Sequence, residues 1–257
     1  MKWSQIWVAY LTIVRKEITR FTRIWQQTLI PPVITTSLYF VIFGNLIGPR
    51  IGDMEGYRYM DFIVPGLILM SVITNSYANV SSSFFSSKFQ RSIEEIQVSP
   101  TPSSVILLGY VTGGMARGLL VGVVVTIVSI FFSKLSVHNV FVMFSIILLT
   151  ALLFALGGFT NGLFARKFDD VSIIPTFVLT PLTYLGGIFY SIKLLPEFWQ
   201  GVSHVNPILY MINAFRYGFL GISDISLSTS YTIIIAFSVV LFLINLRLLN
   251  KGYGIRS

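Results

Sequence analysis

The chain has 257 residues, 54% of them hydrophobic and 11% charged, with a formal net charge of +8 and no cysteine. Soluble domains carry about 25% charged residues, so most of this chain must sit in lipid or against other spans, and the missing cysteines exclude disulfides, thiolate metal sites and cysteine nucleophiles. The basic balance does not indicate nucleic acid, because 12 of the 18 Lys and Arg residues collect on one predicted side of a membrane, which is the positive-inside pattern.

The first 23 residues do not read as a cleavable signal peptide. The apolar run Ile6–Val14 is short, is followed by Arg15-Lys16-Glu17, and lacks a small-residue cleavage site. Trp3, Trp7, Tyr10, Val14, Ile18 and Phe21 recur at three- to four-residue intervals, with Lys16, Arg20 and Arg23 off that stripe. This spacing predicts an interfacial helix with aromatics at the acyl boundary and basic residues toward anionic lipid headgroups. It serves either as a surface anchor or as a mechanical element.

A helix needs roughly 20 apolar residues to cross a bilayer, and the gaps between charges supply six such stretches. The first is 24–49, where Pro31 and Pro32 are expected to open the helix at little cost, since the first amides of a helix lack partners anyway. The second is 62–87, where Ser71, Asn75, Asn79 and Ser82 fall three or four apart on one polar stripe. Such a stripe either lines a pathway or hydrogen-bonds across helices. Next comes a charged segment, 86–104, whose Phe89, Ile93 and Ile96 share one helical face while Arg91, Glu94 and Glu95 lie away from it. Pro100 and Pro102 end that helix.

The third span, 107–132, carries Gly114, Gly118 and Gly122, and the fourth, 135–165, carries Gly158 and Gly162. Small residues at this spacing allow close backbone approach, expected here within one subunit. Arg117 is the one charge deep in a span, placed 17 residues before Lys134, or about 25 Å at ~1.5 Å per residue. It is expected to snorkel to the inner boundary. Asp169 and Asp170 read as the start of the fifth span, 171–192, and the sixth is 225–246. Six crossings place both termini in the cytoplasm and leave Arg50, Arg58, Lys134, Lys193 and Arg216 outside.

Between the last two spans, 192–222 contains Pro196, an aromatic segment with Phe198 and Trp199, then His204, Asn206 and Pro207 before a second apolar run with Tyr210 that stops at Arg216. Broken backbone at membrane depth is tolerated only where protein or a cavity covers it. The segment is therefore expected to form a re-entrant hairpin on the outer side.

This last region carries a family resemblance. Leu179, Leu182, Leu185-Gly186, Ile188, Leu195-Pro196, Pro207-Ile208-Leu209-Tyr210 and Arg216 follow the signature of ABC-2 type permeases. The likeness extends through 24–48, 59–85 and 168–191, over nearly the whole chain. It implies a single transmembrane domain, 1–257, that pairs with a second copy and with two separate ATPase subunits in a bacterial inner membrane. In the same terms, 86–104 is the coupling region that meets the ATPase, through Phe89, Arg91, Glu94 and Glu95. The outer hairpin, with Pro196, Phe198, Trp199, Pro207, Tyr210 and Arg216, is a gate, although its aromatics would serve equally as interface anchors.

The chain contains no G-x-x-x-x-G-K-[ST] loop, so ATP must be hydrolysed by another chain, and no cofactor or metal is expected here. His138 and His204 are the only histidines, and neither has a nucleophile to serve. A secondary transporter would carry intramembrane carboxylates for ion coupling, yet every Asp and Glu falls in a loop, the interface helix or a span edge. A membrane scaffold would leave the hairpin and the cytoplasmic helix unexplained. The expected function is export of a drug- or lipid-like amphiphile, with an envelope polysaccharide or lipid-linked glycan as the alternative cargo.

Overall fold

The computed structural model describes residues 2–93 and 99–253, and the chain in them is helical almost throughout. Helix α1 spans Trp3–Arg23, followed after a break at Ile24 by α2, Trp25–Tyr39, a π-helical stretch Phe40–Ile47, and α3, Gly48–Ile51. A two-residue hairpin, β1 Asp53–Met54 against β2 Tyr57–Arg58, turns the chain into α4, Tyr59–Phe89. Helices α5, Ser103–Ile130, and α6, Val140–Phe164, follow. The next helix is discontinuous: α7 Phe168–Ile174, a π turn Pro175–Leu179, and α8 Thr180–Leu185. Short helices α9, Glu197–His204, and α10, Pro207–Leu220, precede the last long helix, α11, Leu227–Asn250.

Five helices among the described residues are long and apolar enough to cross a membrane: 25–51, α4, α5, α6 and α11. The stretch from Phe168 to Leu185, which holds most of the fifth predicted span, has 18 helical residues. At ~1.5 Å per residue that is about 27 Å, just short of a hydrocarbon core of about 30 Å.

Helix α4 is the axis of the bundle. Its most apolar window is 78% buried, against 11% for the 25–51 helix. Lipid gives helices no hydrophobic drive to associate, so close packing has to hold them. The glycines supply it within the subunit. A Cβ on Gly118 of α5 would fall 1.9 Å from Ser76 Oγ of α4, and one on Gly158 of α6 would fall 2.3 Å from the Tyr77 carbonyl oxygen. Around α4 the apolar core has two parts. One joins Phe62, Ile63 and Leu67 to Val121, Ile146, Met211 and Phe215, and the other joins Val80 and Phe84 to Ile13, Tyr110 and Phe159.

Two local expectations need correction. Pro31 and Pro32 lie inside α2, not at its start. The helix begins earlier because α1 hands the chain directly on: the Thr28 hydroxyl donates to the carbonyls of Phe21 and Ile24, both at 3.2 Å, across the break. The two prolines then withdraw amide protons from the helix interior. Helix α1 also has two faces rather than one. Trp3, Trp7 and Ile18 are exposed, as a lipid-facing stripe requires, but Ile13, Glu17 and Phe21 are buried against the bundle.

Candidate functional site

A cavity of about 350 Å³ lies between α2 and α4, with Arg117 of α5 in its wall. Pro31, Pro32 and Thr35 of α2 face Ser71, Thr74 and Asn75 of α4 across it. Its volume lies within the usual range for small-molecule pockets, about 300–1,000 Å³. The hydroxyl and amide groups of α4 that line the cavity donate within their own helix. The Ser71 hydroxyl donates to the Leu67 carbonyl at 3.1 Å, Thr74 to Met70 at 2.9 Å, and the Asn75 amide to Ser71 at 3.0 Å.

The predicted polar stripe is thereby divided. Ser71 and Asn75 line the cavity. Asn79 does not: it is fully buried and its side-chain oxygen accepts from the Arg20 guanidinium at 2.7 Å. Ser82 is half-buried and turns its hydroxyl back to the Ala78 carbonyl at 2.7 Å. Among the described residues Arg117 does not bridge to a carboxylate, and its Nε has no hydrogen-bond partner.

Tyr39 closes the cavity toward the β1–β2 end of the bundle. Its hydroxyl meets that of Tyr184 at 3.1 Å, and its ring lies 5.8 Å from Phe189, which in turn stands 4.6 Å from Phe43. The Tyr59 hydroxyl donates to the Phe189 carbonyl at 3.1 Å and fixes this cluster to α4. None of these four rings was a candidate from the sequence. Tyr39 and Phe43 read as ordinary span residues, and only their juxtaposition with the turn after α8 brings them together.

At the other end, the site is tied to α1 by a polar latch. Glu17 is fully buried and accepts from the Ser83 hydroxyl at 2.6 Å, while its second oxygen pairs with Arg20 at 3.4 Å. Arg20 also donates to the Asn79 carbonyl at 3.0 Å. A Cβ on Gly113 would fall 2.4 Å from the Glu17 Cβ, so α1 is seated against α5 as closely as backbone allows. Asn79 is one turn from Asn75, which links the latch to the cavity wall.

The segment 192–222 is a helix–turn–helix whose two ends lie at the same end of the bundle. Lys193 pairs with Glu55 at 3.4 Å on one side, and Gly221 packs on His138 on the other. Asn206 caps α10 by accepting from the Ile208 amide at 3.0 Å, and its own amide reaches the Leu182 carbonyl at 2.6 Å. Pro207 occupies the first turn of α10, where a missing amide proton is harmless. The candidate gate residues separate sharply. Pro196, Phe198 and Trp199 are exposed on or beside α9, whereas Tyr210 is buried and donates to the His204 carbonyl at 2.8 Å. Arg216, expected on the outer side, is 2% exposed inside the bundle.

Beneath that segment, Asp224 is held by several donors. Lys193 reaches it at 2.9 Å, the Ser191 hydroxyl at 2.9 Å, and the Ile192 amide at 3.3 Å. Burial works to raise the Asp224 carboxyl, yet the Lys193 and Ser191 hydrogen bonds, with the charges of Lys193 and Arg216, outweigh it and hold it below the usual range. The Asp224 hydrogen bond and charge raise the Lys193 ammonium correspondingly.

Of the coupling candidates, Phe89 closes α4 with an exposed ring 5.0 Å from that of Phe168, itself exposed. Arg91 is exposed with φ of 60°, which ends the helical course begun in α4. Glu94 and Glu95 lie outside the described residues. Lys88 draws the end of α6 to this corner, donating to the carbonyls of Leu163 and Ala165 at 2.8 and 2.7 Å.

The family model described as "ABC-2 type transporter" matches residues 8–220. The chain is 63% identical over 252 residues to the Inner membrane transport permease YadH of Escherichia coli (strain K12), covering 98% of each chain. It is 23% identical over 234 residues to Nodulation protein J of Sinorhizobium fredii (strain NBRC 101917 / NGR234), covering 88% of each. To Nodulation protein J of Rhizobium meliloti (strain 1021) it is 21% identical over 243 residues, covering 94% of this chain and 93% of the relative.

Proposed function

Because the chain belongs to the ABC-2 type transporter family, we propose that two copies of it form the membrane pathway of an ATP-driven exporter served by two separate ATPase subunits. It is a multi-pass transport permease of a bacterial inner membrane, and members of its family work with an ABC ATPase. In this reading the α1 end and both termini face the cytoplasm, in keeping with the basic residues gathered there. The helix from Phe168 to Leu185 completes six crossings, and 192–222 is a re-entrant outer hairpin. No cofactor is needed in the chain itself, since the partner uses the ATP.

The cargo is a drug- or lipid-like amphiphile, taken from the cytoplasm or inner leaflet. One observation carries this: the pocket is a short cleft beside a span that the rest of the subunit leaves largely uncovered. A cargo with an apolar tail can enter such a cleft from the bilayer, whereas a glycan would need a long aqueous channel.

Force from the ATPase enters at Phe89, Arg91, Glu94 and Glu95. The exposed Phe89–Phe168 pair, flanked by Arg91, Arg166 and Lys167, offers the apolar and basic surface such a contact uses. The latch from Glu17 and Arg20 to Asn79 and Ser83 then moves α1 and α4 together. Reversing the charges of Glu94 and Glu95 to arginine should leave the chain inserted but uncouple hydrolysis from transport.

The experiment is gentle purification of the tagged chain from its native cell, intact-complex mass measurement, and reconstitution of what is recovered. Two copies of this chain with two ATPases, moving a labelled amphiphile outward on ATP, is the expected result. A chain recovered alone even after crosslinking, or a complex that moves a glycan and no amphiphile, overturns the reading.

A further inference from the structure

Among the described residues Arg117 is a buried charge that no carboxylate answers. It stands in the wall of the α2–α4 cavity, and none of the four ion pairs among the described residues includes it. Its Nε is buried without a partner. Arg20, the cation of the α1 latch, is already committed to Glu17 and Asn79. Ionisable groups at membrane depth are costly and mark binding or transport paths when they face a cavity.

Of the α4 side chains in the wall, Ser71, Thr74 and Asn75 donate to carbonyls of their own helix. Gln27, Thr35 and Thr36 add only neutral donors, and Arg117 is the one charged residue lining the cavity. Its planar fork suits the oxygens of phosphate and carboxylate. Beside it, Ile30, Ile34 and Leu38 form an exposed apolar row along α2, next to the cavity-lining positions Pro31, Thr35 and Tyr39. One wall of the site thus reads head and the adjoining stripe reads tail.

We propose that the cargo is an anionic amphiphile, an oxyacid head of the phosphate or carboxylate type on an apolar tail, and that Arg117 binds the head. This rests on the exporter reading above. It excludes cationic amphiphiles, which the earlier reading allows, because Arg117 would repel their heads inside the cleft.

The test uses the permease–ATPase complex in nanodiscs of zwitterionic lipid. An alkyl phosphate, an alkyl carboxylate and an alkyl trimethylammonium of equal chain length are compared for binding and for stimulation of ATP hydrolysis. The two anions should bind and compete with each other, and the trimethylammonium should not displace them. Arg117→Gln should weaken anion binding by about tenfold or more, the scale of a lost charge-assisted contact, and Arg117→Lys should recover part of it. Adding phosphatidic acid to the disc distinguishes the source of the head: competition with the alkyl phosphate points to a membrane lipid, and its absence to a soluble anion.

Equal binding of the cation and the anions, or anion affinity unchanged in Arg117→Gln, overturns the inference and leaves amphiphile export standing. Movement of a glycan by the same complex, with no amphiphile of either charge bound, overturns the amphiphile cargo itself. Should Arg117→Gln fail to assemble, the anion–cation comparison on the unsubstituted complex still decides.

Discussion

The guanidinium carbon of Arg216 lies 3.8 Å from the centroid of the Phe62 ring, and its Nη2 donates to the Gly187 carbonyl at 2.5 Å. One side chain thus joins three separate pieces: α10, α4, and the turn after α8, where Gly187 takes a φ of 78°. Arg216 acts as an internal strut, and its planar group both stacks and points a donor along one direction. Lysine has neither property.

Arg216→Lys should therefore behave as a severe change. A desolvated cation–π contact is worth about 2 kcal/mol, and loss of the directed hydrogen bond adds to that. Thermal unfolding in mild detergent should show Arg216→Lys destabilised by about 1–3 kcal/mol and Arg216→Ala by more. An unchanged midpoint for the lysine variant would mean that the stacking carries no weight.

The Glu17–Arg20 pair should couple measurably to Asn79 and Ser83. Glu17 has no exposed side-chain surface, while Arg20 retains 30%, so the ion pair is partly screened. The Ser83 hydroxyl would be left without its buried acceptor in Glu17→Ala, at a cost of about 1–3 kcal/mol. Glu17→Gln should cost less, because an amide oxygen still accepts from Ser83. A double-mutant cycle between Glu17→Ala and Ser83→Ala, across α1 and α4, should give a coupling of about 0.5 kcal/mol or more. Strict additivity would show that α1 is merely laid against α4.

Much of this architecture was legible in the sequence, and the limits are instructive. Charge-free stretches found the long helices, and the glycine spacing of α5 and α6 correctly placed close packing within one subunit. Composition could not reveal that α1 packs through Glu17, because a lone carboxylate in an interfacial helix reads as solvated until Gly113 and Ser83 are brought against it. The stripe from Ser71 to Ser82 was visible, but not its division between cavity and latch, since helical spacing gives a face and not the neighbour on it. Aromatics at the outer end were singled out by proximity in sequence to Pro196 and Pro207. The Tyr39 ring cluster joins residues up to 150 positions apart, Tyr39 to Phe189, and no local pattern encodes that pairing.

Close approach at Gly158 makes a sharp prediction. A Cβ there meets the backbone oxygen of Tyr77 at 2.3 Å, and backbone in the middle of α4 cannot swing aside as a side chain does. Gly158→Ala should therefore force α6 away from α4 and cost about 1–3 kcal/mol, the range for overpacked cores. Gly157→Ala next to it is the control, since its nearest neighbour is a Tyr77 ring carbon at 3.6 Å. Equal melting temperatures for the two variants would contradict the packing described.

The Lys193–Asp224 clasp fixes a pH response. Asp224 titrates below its ordinary range when folded, so its contribution is present above the unfolded carboxylate range and is lost as pH falls through the depressed folded value. Lys193 is raised, so its contribution holds below the ordinary lysine range and is lost as pH rises through the raised value. Stability of this end of the bundle should thus decline under acid, and Asp224→Asn should flatten that decline and most of the alkaline limb with it, because Asp224 is the main cause of the raised Lys193. Hydrogen exchange of the Ser191–Lys193 amides across pH reads this locally. An acid limb identical in Asp224→Asn and the parent would assign it to other carboxylates.

In the proposed exporter, two groups of aromatic residues are candidates for an outer gate, and exposure separates them. Phe198 and Trp199 are 72% and 46% exposed on α9 and touch each other rather than the cavity. Tyr39 borders the cavity and holds Tyr184 and Phe189 across its β1–β2 end. Removing a barrier ring should open a path, whereas removing an anchor should only loosen the hairpin at the interface. Tyr39→Ala and Phe189→Ala are therefore expected to raise ATP-independent leakage of an amphiphile through the reconstituted complex. Phe198→Ala and Trp199→Ala should leave leakage at the parent level. Since the chain has no cysteine of its own, single cysteines at Phe198 and Tyr39 give an independent reading. Position 198 should react with a lipid-soluble maleimide in every state, and position 39 with a water-soluble one only when nucleotide drives the path open. Leakage from the α9 variants and none from Tyr39→Ala would move the gate to the hairpin tip.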